Sequence, residues 1–244
     1  MLNVLRSSAG RSFARGPFKI RRIRPGAILG TDADPAFGQF SVVDHAHLDV
    51  GTVVAMHEHV NDEILSYLWR GTMVHEDSAG HRVSIHPGKL MMMNAGKSFW
   101  HEESTPDEPV EMLQIFFRPR EADLSGQVQF FERPADFAEQ GWNLIAAPEG
   151  SPALLSVRQS VTVYDAHLKA GEAIEIPHAE GLSPWLYVMD GRVSIGGERL
   201  GKGDAATDLQ IALPAVRAEV ATTLVLFLVD RGASGSHAGT ISGQ

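Results

Sequence analysis

GTVVAMHEHVNDEILSYLWRG, residues 51–71, carries both the strand pattern and the candidate chemistry of this chain. A glycine opens it and a glycine closes it. Between them, Thr52–Ala55 and Glu63–Trp69 flank His57-Glu58-His59 and the turn-forming pair Asn61-Asp62. Short runs rich in β-branched and aromatic residues, bounded by such punctuation, read as β-strands. Side chains at i and i+2 leave the same face of a strand, so His57 and His59 can offer two imidazoles in one direction. Further along, His101-Glu102-Glu103 repeats the spacing as a His-x-Glu pair. Two facing strands could then close a site of three imidazoles and one carboxylate, a set that suits a first-row divalent metal with positions left open for substrate. Glu103 is the preferred carboxylate because it shares a face with His101. Glu63 is the rival, but Asn61 and Asp62 place a turn between it and His59.

Outward from this stretch the chain reads as all-β. Helical periodicity is scarce, and strand-like runs recur between Phe40 and Phe117 and again between Val161 and Val229. A short helix is predicted over Pro134–Trp142, in the connection. The two sets form a degenerate repeat. Gly51-Thr-Val-Val matches Gly171-Glu-Ala-Ile, and Leu65-Ser-Tyr-Leu-Trp-Arg-Gly71 matches Trp185-Leu-Tyr-Val-Met-Asp-Gly191, both at an offset of 120 residues. The simplest organisation is two similar β-barrels, residues 1–135 and 150–232, with a flexible Gly/Ser-rich tail over 233–244. At the same offset, His57, His59 and Glu63 become Pro177, Ala179 and Ser183. The candidate ligands therefore belong to the first half alone.

Composition narrows the function. Apolar content of 43% and charged content of 21% are those of an ordinary soluble domain. No apolar run approaches the roughly 20 residues that cross a bilayer, and no signal-peptide core is present, so the cytoplasm is the default location. Cysteine is absent, which leaves only nitrogen and oxygen ligands for any metal. A net charge of −9 argues against direct nucleic-acid binding. The basic residues Arg6, Arg11, Arg15, Lys19, Arg21, Arg22 and Arg24 stand in a segment without acids. They are read as an N-terminal strand crossing an acidic body.

The spacing Gly51-x5-His57-x-His59-x3-Glu63-x7-Gly71 resembles the first motif of the cupin superfamily, and Gly88-x5-Asn94-x-Gly96-x4-His101 resembles the second. Within the cupins, HEHVNDEILSYLWRGTMVHEDSAG (57–80) and IHPGKLMMMNAGKSFWHEE (85–103) are similar to the signature of the pirin family. Glu58 and Val60 depart from the proline and arginine usual there, and Lys97-Ser-Phe-Trp departs from a run of smaller residues. The resemblance implies two cupin-type barrels (double-stranded β-helices) in tandem. It implies one metal on His57, His59, His101 and Glu103, iron first, although Ni, Mn, Co, Cu or Zn also suit such donors. It implies a quercetin 2,3-dioxygenase-like oxidoreductase, taking a small aromatic substrate and dioxygen, with Glu103 as catalytic base. Two alternatives come with it. One is a redox-sensing regulatory protein acting through protein partners, and the other is a metal-dependent small-molecule isomerase.

The remaining candidates have plainer readings. His45-Ala46-His47 is a second His-x-His pair, but it lies before Gly51, outside the motif. His75, His81 and His86 are read as parts of strand ends and turns. His167 and His178 have no partner at ligand spacing. Met91-Met92-Met93 is read as a strand whose methionines pack inside the barrel. Trp69, Phe99 and Trp100 fit core packing or the lining of an aromatic ligand.

Overall fold

The computed structural model describes residues 1–31, 34–134 and 141–244. Its regular secondary structure is almost wholly strand, folded as two barrels of cupin type. In the first barrel the larger sheet runs, in spatial order, Gln127–Glu132, Lys89–Asn94, Glu63–Arg70, Val110–Phe117, Phe40–Leu48, Phe18–Ile23 and Arg11–Arg15. Its smaller sheet runs Val53–His59, Phe99–Ser104, Met73–Asp77 and Arg82–Ile85. The second barrel repeats the plan. Its larger sheet is centred on Ser183–Asp190, Thr222–Val229 and Val161–Leu168, and its smaller one runs Ala173–Ile174, Val216–Ala218, Arg192–Ile195 and Glu198–Gly201.

The two larger sheets stack back to back, which explains their unbroken apolar runs. Alternate side chains serve two different cores. Ile64, Leu68, Met112 and Phe116 point into the first barrel. Leu65, Tyr67, Leu113, Ile115 and Phe117 point outward into a core shared with Trp185, Tyr187, Val225, Phe227 and Val229 of the second. Phe40 is the centre of this seam, 4.2 Å from the Phe227 ring in a stacked arrangement and 5.2 Å from Trp185 edge-on. Leu186, Val188, Leu224 and Leu226 fill the second barrel's own interior. The methionine run follows the same rule and corrects its simpler reading. Met91 and Met93 lie inside the first barrel, whereas Met92 faces the seam.

The repeat seen in the sequence has a backbone counterpart. Gly51 and Gly171 stand at φ of 80° and 85°, and Gly71 and Gly191 at 82° and 90°. Each pair turns the chain at the same place in its barrel, in a region that glycine alone enters freely.

Several expectations need adjusting. The basic segment does form strands, and it meets acidic partners as read: Lys19 pairs with Asp49 at 2.7 Å and Arg22 with Asp44 at 2.6 Å. But its first strand, Asn3–Leu5, pairs with Ala205–Thr207 of the second barrel, and Arg6 reaches Glu198 and Asp204 there. The chain thus starts on the far barrel, because that sheet has an open edge to cover. Most of the predicted helix over Pro134–Trp142 lies outside the described residues, and Trp142 begins a strand, Trp142–Pro148. The tail expected to be flexible is placed against the first barrel. Ser236 donates to the Pro119 carbonyl at 2.8 Å and Thr240 to that of Val60 at 2.9 Å, while the Gln244 carbonyl accepts from Arg24 at 2.9 Å. Its small residues let backbone approach backbone, and Ile241 supplies an apolar anchor against the barrel. Among the described residues, no helix is long and apolar enough to cross a membrane.

Candidate metal centre

The strand Val53–His59 carries the first histidine pair at the edge of the smaller sheet, with Phe99–Ser104 beside it. His57 lies opposite His101 in register. Beyond that point the register shifts, so that Glu103 lies opposite Val54. One extra residue on the His57 strand makes a bulge, a local bend that re-aims side chains next to a site. Glu58, between the two histidines, points the other way and accepts a hydrogen bond from Ser98 on the surface.

The three imidazoles converge. Ring centroids are 5.0 Å apart for His57 and His59, 4.4 Å for His57 and His101, and 5.2 Å for His59 and His101. One donor nitrogen from each lies within 4.8 Å of the other two. The hydrogen bonds assign the tautomers. Nδ1 of His57 donates to the Ala55 carbonyl at 2.9 Å, and Nδ1 of His59 donates to the Asp62 carboxylate at 2.8 Å. Both Nε2 atoms therefore present lone pairs, and they face each other at 3.1 Å. His101 is fully buried, and neither of its ring nitrogens has a partner. Buried nitrogens in native proteins find partners, and two facing lone pairs repel unless something positive lies between them. These residues fit a divalent cation.

The electrostatics agree with neutral imidazoles. Burial drives the His101 pKa down to about 2, helped by the neighbouring His57, His59 and His75. Burial also lowers that of His57. Neutral imidazole is the ligating form. Glu103 is enclosed and accepts from Gln114 Nε2 at 3.3 Å, and burial outweighs that bond and lifts its pKa to about 7. Its nearer oxygen is 3.7 Å from His101 Nδ1. It lines the same cleft as His57 and His59, but stands outside the closest three-histidine group.

That cleft opens from His57 and His59 into the barrel and offers about 150 Å³ of room. Phe18, Ile20, Leu48, Val54, Met112 and Phe116 give it apolar walls, and the Arg22–Asp44 ion pair gives it one polar edge. Such a shape, mostly apolar with a few convergent polar groups, is typical of a small-molecule site.

Glu63 is elsewhere. It is fully buried at the seam between the barrels, where Arg158 grips it with Nε at 2.8 Å, NH2 at 2.7 Å and its backbone amide at 2.9 Å. The pair His45 and His47 also faces the second barrel. His45 bridges the Tyr187 hydroxyl and Glu111, at 2.8 and 2.9 Å, and Lys202 holds the same Glu111 oxygen at 2.5 Å.

Two residues of the site escaped the sequence reading. Asp62, taken as a turn residue, is fully buried and orients His59. His75, taken as a strand end, forms a second donor group with His101 and Glu103. Its Nε2 is bonded to Asp77 at 3.0 Å, while its Nδ1 is buried without a partner. The signal for His75 was present in the strand period, because His75-x-Asp77 puts both side chains on one face. Nothing in the sequence marked that face as the inner one.

The pirin family description fits residues 19–117, which include the three histidines and Glu103, and that of the quercetinase C-terminal cupin domain fits residues 144–229. The first barrel is thus a pirin-family domain and the second a quercetinase-type cupin domain. The chain is 28% identical over 200 residues to the quercetin 2,3-dioxygenase of Escherichia coli strain K12, across 80% of this chain and 85% of that relative. In fold it is similar to the bacterial pirin YhhW of Escherichia coli in complex with nickel(II), with a TM-score of 0.81 at 22% identity, covering 94% of this chain and 99% of that one. It is also similar to a quercetin 2,3-dioxygenase of Acinetobacter baumannii, with a TM-score of 0.74 at 22% identity, covering 91% and 84% respectively.

Proposed function

We propose that this protein is a metal-dependent dioxygenase acting on quercetin or a related flavonol. The observation that carries the reading is the meeting of three bare imidazole nitrogens beside an apolar cleft that His57 and His59 line. The names of the Escherichia coli and Acinetobacter baumannii relatives support the reaction class, and the nickel(II) of the pirin neighbour supports a divalent metal. His57, His59 and His101 would hold the metal, with Glu103 as fourth ligand. Iron is our first choice, and Ni, Mn, Co, Cu and Zn suit the same donors. The bound metal supplies Lewis-acid and one-electron chemistry that joins an aromatic substrate to dioxygen.

The chain's own residues do the rest. Phe18, Ile20, Met112 and Phe116 take the flat rings of the flavonol and exclude water from them. Glu103 takes the proton of the substrate hydroxyl. Burial holds this carboxyl at about 7 when no cation is on it, so Glu103 can take the proton once it has loosened from the metal. Gln114 keeps that carboxylate turned toward the cleft. The protein acts as a cytoplasmic enzyme in this reading, with the second barrel as a metal-free support.

The test is an oxygen electrode with quercetin, on protein purified without a histidine tag and loaded with each candidate metal in turn. Oxygen uptake with loss of the flavonol's visible absorbance is expected for at least one metal. His101→Ala should lose most of the bound metal, and Glu103→Gln should keep metal while losing turnover by about 100-fold or more. No uptake with any metal would sink the dioxygenase reading and favour the regulatory or isomerase alternatives.

A further inference from the structure

The histidine His59 has a chain of support that ends in the C-terminal segment. Its Nδ1 donates to one oxygen of Asp62 at 2.8 Å. The other oxygen of Asp62 receives the Ser242 amide at 2.9 Å and the Ser242 hydroxyl at 2.6 Å, and the Ile241 amide reaches both oxygens at 3.2 and 3.3 Å. Asp62 and Ser242 are both fully buried. The segment is tied down on either side of this contact. Thr240 exchanges hydrogen bonds with Val60, its hydroxyl taking the Val60 amide at 2.8 Å. The Ser242 carbonyl accepts from Nε of the buried Arg118 at 2.9 Å. Gly239 sits so close that a Cβ there would stand 2.6 Å from the Asp62 oxygen and 2.1 Å from the Ser242 hydroxyl. Ile241, between the two ties, forms part of the cleft wall beside His57 and His59.

We propose that residues 239–242 are a positioning strap for the metal centre: they hold the Asp62 carboxylate that fixes the ring of His59. The physical reason is geometric. A carboxylate with one bond to His59 can rotate about its own side chain and carry the imidazole with it. Two donors from Ser242 on the opposite oxygen, with the Ile241 amide shared between both, remove that freedom, so His59 stays in the Nδ1–H tautomer with Nε2 aimed at His57. Partners of this outer kind set ligand orientation, and their loss typically costs 10- to 100-fold in metal affinity. The contact joins residues about 180 apart in the sequence, so it exists only once the segment has returned to the first barrel. The inference rests on the proposed metal role of His59.

Two variants of the full chain displace the strap to different degrees. Gly239→Val pushes it away from Asp62 by collision. Ser242→Ala removes one donor and leaves the backbone in place. The first readout is the metal dissociation constant, from competition with a chromophoric chelator, using Ni(II) and Fe(II). We expect a rise of about tenfold or more for Gly239→Val and a smaller rise for Ser242→Ala. The second readout is the 15N signature of the His59 ring in the metal-free protein. It should show the single Nδ1–H tautomer in the parent chain and a mixture in Gly239→Val. Because it needs no metal, it decides the strap even if the parent chain binds none, a result that would instead overturn the metal reading. A folded Gly239→Val protein with the parent tautomer and the parent metal affinity would overturn the strap. If Gly239→Val does not fold, Ser242→Ala decides: an unchanged tautomer and unchanged affinity overturn the proposal.

Discussion

Asp165 shows how far one side chain's surroundings can reverse the effect of burial. It is fully enclosed between the barrels, where the Tyr67 hydroxyl donates to it at 2.9 Å, Asn143 at 3.0 Å and Arg133 at 2.9 Å, with His167 at 3.4 Å. Burial by itself would raise its pKa, but His167 and Arg133 outweigh it and bring it to about 2. Glu103, whose one hydrogen bond from Gln114 is outweighed by burial, goes the other way, to about 7. The first carboxylate is held charged as a structural anchor, while the second is able to exchange a proton. For Asp165 the folded value lies below the unfolded one of about 3.9. Its contribution to stability is therefore complete above roughly pH 5 and is lost as pH falls through about 4 toward 2. Asp165→Asn should cost about 2–3 kcal/mol at pH 7, and the gap to the parent should close on acidification. Denaturant unfolding at pH 7 and pH 3 measures this. A gap independent of pH would show that Asp165 acts through shape and not charge.

At the scale of the element, the turns that begin and end the strands are the most constrained points. Gly71 and Gly191 follow Glu63–Arg70 and Ser183–Asp190, at φ of 82° and 90°. A Cβ at Gly71 would stand 2.2 Å from the Pro109 carbonyl oxygen, and one at Gly191 would stand 2.4 Å from that of Ala221. Gly51 shares the unusual dihedral but faces open space. Gly71→Ala and Gly191→Ala should each destabilise by about 2 kcal/mol or more, because strain and collision add. Gly51→Ala should cost about 1 kcal/mol, from the dihedral alone. Thermal unfolding of the three variants tests the ranking. Equal losses at Gly51 and Gly71 would mean that the close approach to Pro109 relaxes freely.

The whole molecule is joined by a seam that is apolar at its centre and charged at its rim. Glu63 and Arg158 are its clearest polar tie, one from each barrel. Burial raises the Glu63 pKa and the Arg158 contacts oppose it, so removing the guanidinium leaves a carboxylate with little to hold its charge. Arg158→Met should cost about 3–5 kcal/mol, and the double variant Glu63→Gln, Arg158→Met should recover part of that loss. A double-mutant cycle by chemical denaturation gives the coupling, and strict additivity would remove the tie. The seam also buries Phe40, Phe117, Trp185 and Phe227 completely, each contributing about 1.5–3 kcal/mol of burial. A first barrel cut away at the connection would expose that face and should be less stable than the full chain.

The all-β class, the tandem repeat and the pirin resemblance were legible in residues 51–103 and their echo near Gly171 and Gly191. Strand alternation, glycine at forced turns and i, i+2 histidine spacing are local properties, and a sequence displays local properties directly. Which of several equally spaced groups face inward was not legible. His45-Ala46-His47 and His57-Glu58-His59 are the same pattern, and only the packing of one sheet against another turns the first pair to the seam and the second to the cleft. Spacing alone did not separate Glu63 from Glu103, and it is the tertiary structure that sets Glu63 against Arg158 in the seam and Glu103 against Gln114 in the cleft. His75 and Asp62 looked like turn chemistry because their partners, His101 and Ser242, lie far along the chain. The tail looked unstructured because Gly and Ser promise nothing by themselves. Its order comes from donors and acceptors on the first barrel, and those exist as a surface only after the barrel has folded.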